Sequence, residues 1–192
     1  STVYKYDPEK AKSLLKEAGQ ENLSFTLLVI DNWIKDLAAQ IQQDLQAVGL
    51  TCTLDVQAAP YPMLAAKEDN SVLDYDVFLA PGDVSCFGTN ADVHLAWFYG
   101  ENTDWCQGRT CWAKAGDGKC TEFNQYLDEA RRATDAGARQ EAYNKCFDII
   151  AEEVPLYPLF HKKVLTGYWA DKIEGFEPSP TTGLYFQDAK LK

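Results

Sequence analysis

Histidine is scarce in this chain. His94 and His161 are the only two, and neither stands beside a nucleophile signature such as a glycine-flanked serine elbow. No phosphate-cradling glycine-rich loop follows a strand. The paired carboxylates Glu152 and Glu153 fall at a helix end expected to face water, so an acid and nucleophile pair of the glycosidase kind has little support. These absences argue against an enzyme. No apolar run approaches the roughly 20 residues that span a bilayer, and no basic-then-apolar signal segment precedes Tyr4. The expectation is either a cytosolic chain or one whose targeting end has been removed. Positive charge is also in short supply, with 18 basic against 29 acidic residues and a net charge of -11. That balance argues against a phosphate backbone as partner, so nucleic acid is not expected. No internal repeat or low-complexity tract appears.

What is present suffices for a folded domain. The 192 residues are 46% apolar and 12% aromatic, enough to bury a sizeable core in one domain, or one domain plus an excursion. Between Tyr4 and Gly19 the sequence writes a helix with its punctuation: Asp7 as N-cap, Pro8 in the first turn and Gly19 after the last. Ala11, Leu14, Leu15 and Ala18 form its apolar stripe. Leu23 to Ile30 is β-rich and apolar on both faces, as in a central strand covered on each side. Asp31 or Asn32 then caps a helix with the stripe Ile34, Leu37, Ala38, Ile41, Leu45 and Val48, ended by Gly49. Leu50 to Val56 alternates as a half-buried strand. A strand, helix and strand at this spacing make a right-handed crossover in a parallel sheet.

Farther on, Pro60 to Asp69 reads as a short helix and Tyr75 to Ala80 as a third strand halted by Pro81 and Gly82. Asp83 to about Cys120 reads as irregular, with His94 in a loop. Thr121 to Thr134 and Ala138 to Glu153 read as a helical hairpin broken at Asp135 to Gly137. Beyond Pro155 the stretches LYPLF and VLTGYW look β-like, with His161 ending a strand.

Cys106, Cys111 and Cys120 crowd one loop, where an oxidising compartment would close a local disulfide. Zinc is the sharper alternative, but the spacing comes without a nearby histidine, and nothing forms a dedicated metal-ligand cluster. This cysteine usage favours the removed-targeting-end alternative. Cys52 and Cys146 lie in apolar patterns and read as buried thiols or as a strand-to-helix bridge.

The capped opening helix resembles the Asp-Pro-Glu-Lys-Ala helix that begins the second lobe of bacterial extracellular solute-binding proteins of peptide and nickel importers. The order of IQQDLQAVGLTCTLDV, PYPMLAAKED, YDVFLAPGD, the helix pair and IEGFEPSP is similar to their C-terminal half over nearly the whole chain. The resemblance implies an α/β fold, a mixed sheet flanked by helices, forming the second lobe of a two-lobed type II periplasmic-binding-protein-like architecture. It implies residues 1–158 as a ligand-binding lobe and 159–192 as a segment returning toward a first lobe absent from this sequence. The absent part would also carry the secretion signal and lipid-anchor cysteine. The implied function is capture of a peptide or other small solute outside the cytoplasm, in the periplasm or as a cell-surface lipoprotein, for delivery to an ABC permease. Neither a cofactor nor a resident metal is implied. Cys120 is expected to pair with Cys106 or Cys111, and the resemblance to a bridge seen in dipeptide-binding relatives gives Cys106–Cys120 a slight edge.

Ligands of open α/β sheets settle beyond the carboxyl ends of the strands, which directs attention to Ala80, Gly82 and Asp83. Relatives carry a Gly-Asp pair there whose carboxylate holds the ligand's α-ammonium, a strong charge-assisted bond when desolvated. The bland alternative is an aspartate making a turn. Relatives often place Trp where this chain has Ala80. Phe87, Asn90, Asp92, Trp97, Phe98 and Tyr99 are secondary candidates to line a cleft, unless Trp97 and Phe98 simply pack under the cysteine loop. From another functional class, the alternative is a secreted, disulfide-stabilised domain that docks a protein. A hydrolase whose catalytic partner lies in the missing half is a remote third.

Overall fold

The structure is a computed structural model that describes residues 5–30, 34–58, 75–82, 88, 90–161, 163, 165–177 and 185–192. The expected Asp31 or Asn32 cap and the expected helix from Pro60 to Asp69 lie outside the described residues.

Helix α1 (Pro8–Glu17) has the anticipated ends: Asp7 Oδ1 accepts from the Lys10 amide at 2.9 Å, and Gly19 takes a left-handed φ of +67°. Its stripe corrects one expectation. No residue of α1 is buried, and Leu14 is 53% exposed. The periodicity made the helix amphipathic, but its apolar face is only partly covered: Ala11 and Leu15 are half-buried, and Leu14 and Ala18 are exposed.

Strand β1 (Ser24–Val29), helix α2 (Lys35–Ala47) and strand β2 (Thr51–Val56) form the crossover unit. β1 and β2 pair in parallel from Ser24 against Thr51 to Val29 against Val56. Strand β3 (Val77–Leu79) joins the other edge of β1, also parallel, giving the order β2-β1-β3. β1 is therefore the central strand, and Leu27, Leu28, Val29 and Ile30 are all at most 3% exposed. Leu27 and Val29 pack with Ile34, Ala38 and Cys52, flanked by Ile41, Leu45 and Leu54. The Gln42 side-chain amide donates to the Cys52 carbonyl at 2.7 Å and ties α2 across to β2.

The region read as irregular is largely helical. Helix α3 (Ala91–Tyr99) is followed by a π-helical turn (Trp105–Arg109) and a 3-10 turn (Trp112–Lys114). The sequence of α3, ADVHLAWFY, carries apolar residues around most of its circumference, so it lacks the polar stripe that makes a helix legible. Helices α4 (Lys119–Arg132) and α5 (Ala136–Glu153) form the expected hairpin. The break between them falls at residues 133–135 rather than 135–137, and Asp135 caps the second helix, accepting from the Ala138 amide at 2.8 Å. A second core unites Leu95, Cys106, Trp112, Cys120, Phe123, Leu127, Cys146 and Ile149.

The tail differs from expectation. None of the described residues in LYPLF or VLTGYW is in a strand, and His161 ends none. Strand formation needs an edge to pair with as well as β-rich composition, and no described segment supplies one. The antiparallel pairing sits apart from the parallel sheet, as a ribbon of β4 (Ile173–Glu174) with β5 (Lys190–Leu191).

Two glycines separate packing from conformation. A Cβ on buried Gly100 would lie 2.5 Å from the Ala96 carbonyl oxygen, whereas one on Gly82 would meet only the Phe98 ring at 3.5 Å. Gly100→Ala is expected to lose about 1–3 kcal/mol in urea unfolding. Gly82→Ala should stay within about 0.5 kcal/mol of the parent.

Candidate functional site at the end of the third strand

The end of β3 delivers the chain through Ala80, half-buried, to the exposed Pro81 and Gly82. Asp83 and Phe87 lie outside the described residues. Phe98 reaches from α3 to the face of Gly82 and stacks edge-on against Trp105, with ring centroids 5.0 Å apart. The guanidinium of Arg109 lies over that indole, 4.4 Å from its centroid, in the geometry of a cation–π contact. Tyr75, just ahead of β3, donates its hydroxyl to the Arg109 carbonyl at 3.2 Å. Burial lowers the Arg109 pKa, opposed by Asp104 and Tyr75. The sheet and the helical half are thus joined beside β3 by an aromatic and cationic stack. Sequence reading missed Trp105, Arg109 and Tyr75. Four-residue spacing of Trp105 and Arg109 was the available signal, hidden inside a stretch read as irregular.

The other candidates separate. Asn90 caps α3, its side-chain oxygen accepting from the Asp92 amide at 3.0 Å. Asp92 pairs with Arg131 Nε at 2.6 Å, fastening α3 to α4. Trp97 is 49% exposed on α3, while Phe98 is packed, so the two neighbours do not share one role. Tyr99 turns into the core against Trp112 and Phe123, away from any cleft-lining task. His94 is helical rather than in a loop, with its Nε2 3.0 Å from the Gly88 carbonyl. Among the described residues no group of three or more potential ligands is placed to hold a metal, and no helix is long and apolar enough to cross a membrane.

All five described cysteines are free thiols, so the structure does not contain the expected disulfide. Cys106 and Cys120 nevertheless lie with their sulfurs 3.4 Å apart, a non-bonded separation against about 2.05 Å for a bond. Cys111 is exposed. Cys52 belongs to the sheet core and Cys146 to the helical core, which corrects the strand-to-helix bridge: each is a buried thiol among its own neighbours.

No protein-family model matches the chain. It is 28% identical to Di/tripeptide-binding protein 4 of Pseudomonas aeruginosa across 97% of this chain and 34% of that protein. It is 27% identical to the glutathione-binding protein GsiB of Escherichia coli across 97% of this chain and 36% of that one. Among solved structures, HbpA2 from Haemophilus parasuis superposes with a TM-score of 0.66 at 19% identity, covering 100% of this chain and 36% of the other. The ABC transporter-associated periplasmic binding protein DppA from Helicobacter pylori, in complex with the peptide STSA, gives 0.59 at 22% identity, covering 80% and 28%. The chain is thus similar in sequence to peptide-binding proteins and has the fold of part of a periplasmic binding protein, and it spans about a third of the length of the relatives it matches. These relatives are binding proteins rather than enzymes.

Burial pushes the Tyr99 phenol up to about 12 and the Cys146 thiol up to about 11. In the unfolded chain such groups ionise nearer 10 and 9, so above about pH 9 the unfolded state holds fewer protons than the folded one. Stability is fully present below about pH 9 and is lost as pH rises through the folded values. Urea midpoints should be flat to about pH 9 and then decline, and Tyr99→Phe should lessen the part of the decline above about pH 10. An unchanged decline in that variant would remove Tyr99 as a source.

Proposed function

We propose that this chain is the second lobe of an extracytoplasmic solute-binding protein that captures peptides between two lobes and delivers them to an ABC permease. Residues 1–158 form the ligand-binding lobe, and residues 159–192 return toward a first lobe encoded elsewhere in the same polypeptide. The observation that carries this reading is the alignment of 97% of the chain to only 34% of a di/tripeptide-binding protein. Exposed Leu159, Phe160, Leu165 and Trp169 support it, because a returning segment keeps its apolar side chains for a surface on the first lobe. The interaction-domain and hydrolase alternatives draw no support from the relatives, which are binding proteins. The protein acts in the periplasm or as a cell-surface lipoprotein, where an oxidising environment joins Cys106 to Cys120. It needs no cofactor.

Asp83, directly after the turn that faces Phe98, supplies the carboxylate that holds the ligand's α-ammonium. Gly82, Ala80, Phe87, Asn90 and Trp97 are the further ligand-contact candidates of this reading. In the full-length protein Asp83→Asn removes the countercharge while keeping the side chain's size, and it should cost about 2–5 kcal/mol of peptide affinity, roughly 30- to several-thousand-fold. N-acetylation of the peptide should weaken wild-type binding by a similar factor and add little in the variant, because both changes break one contact. Equal binding of free and acetylated peptide by the wild type would show that Asp83 is not an amine anchor.

The two-lobed reading also limits what this chain does alone. Ligand contacts are divided between lobes in a hinge-closing protein. Calorimetry on the 192-residue chain should find no peptide binding tighter than roughly micromolar. Nanomolar binding would mean that the whole cleft lies within this chain.

A further inference from the structure

The two sulfurs that face each other at 3.4 Å belong to buried residues of the helical core. Cys106 is 0% and Cys120 5% exposed. They share that core with Leu95, Trp112, Phe123, Leu127, Cys146 and Ile149, and Asn124 Nδ2 donates to the Cys120 carbonyl at 2.8 Å. Disulfide exchange requires a thiolate to reach an incoming sulfur in line. The closed fold works against both requirements: the two residues are at most 5% exposed, and burial raises both thiols, Cys120 to about 12. Cys111, only a few residues away, is exposed.

We infer that Cys106 and Cys120 form a folding-coupled dithiol, oxidised before the α4–α5 hairpin closes over them and sealed afterwards against both oxidants and reductants. The inference concerns the timing and accessibility of the bond and rests on the Cys106–Cys120 pairing proposed above. In the open chain one thiolate attacks a disulfide oxidant, forming a mixed disulfide and releasing one oxidant thiolate. The second cysteine thiolate then displaces the remaining oxidant sulfur. Two protein thiols give up two protons and two electrons, and the oxidant disulfide becomes two thiols. Closure of the hairpin then packs Cys146 and Ile149 of α5 into the core that holds the product.

The test uses the natural polypeptide, expressed and purified under reduction. One sample is kept native and the other is unfolded in urea and diluted back, both into the same oxidised glutathione buffer, with linkages read by non-reduced peptide mapping. Refolding should yield Cys106–Cys120, and the native protein should acquire that bond at least about tenfold more slowly, because it must first open. Comparable rates overturn the sealing. A refolded, folded product without the Cys106–Cys120 linkage overturns the bond itself, and so distinguishes failure of the pairing from failure of its timing. Iodoacetamide labelling of the native reduced protein gives a second reading that needs no refolding. Cys111 should be modified while Cys106 and Cys120 are protected, and labelling of all three at one rate overturns the inference.

Discussion

The burial of both faces of β1 is the constraint on which the remaining architecture depends. Leu27 and Val29 on one face and Leu28 and Ile30 on the other are nearly inaccessible, so the strand has no solvent side and its two edges must both be paired. β2 takes one edge and β3 the other. Because both pairings are parallel, β1 and β3 deliver their carboxyl ends to the same side of the sheet, which is where a turn can display polar groups without disturbing the core. The position of Gly82 and the residue that follows it is a consequence of that arrangement rather than of any local motif.

The helical half attaches to this sheet through few but specific contacts. Tyr75 hydrogen-bonds to the backbone of the π-helical turn, and Phe98 spans from α3 to Gly82. The Phe98–Trp105–Arg109 stack lies between the sheet and the second core. Trp105 and Cys106 are consecutive in one π-helical turn, so the same backbone segment presents an aromatic ring toward the strand end and a thiol toward the α4–α5 hairpin. π-helical turns are uncommon and are frequent at functional sites.

Electrostatics contributes differently in the two regions. No polar or charged residue is fully buried among those described, and the ion pairs lie at the surface, where each is worth little. Stability therefore comes from apolar burial in two cores, each of which also encloses a cysteine thiol that burial keeps neutral. The net charge of -11 repels polyanions.

Wherever physical signals were local, the amino-acid sequence alone determined the outcome. Asp7, Pro8 and Gly19 bound α1, the stripe from Ile34 to Leu45 buries as its period requires, and the two-faced run Leu27 to Ile30 becomes the central strand, because capping bonds and amphipathic periods are completed within a few residues. The candidate strand end at Ala80 and Gly82 was legible for the same reason, with Pro81-Gly82 stopping β3. Tertiary structure decided the rest. It left Leu14 uncovered, since a stripe states which face is apolar and not whether a partner exists to cover it. It made a helix of Ala91 to Tyr99, whose apolar residues surround the axis and so carry no period. It denied strand structure to the described residues of LYPLF, which found no edge to pair with. It divided Trp97, Phe98 and Tyr99 among solvent, the strand end and the core, and it chose Cys106 over Cys111 as the neighbour of Cys120. That choice depends on how a π-helical turn and a 3-10 turn orient side chains in three dimensions, which no spacing along the chain encodes.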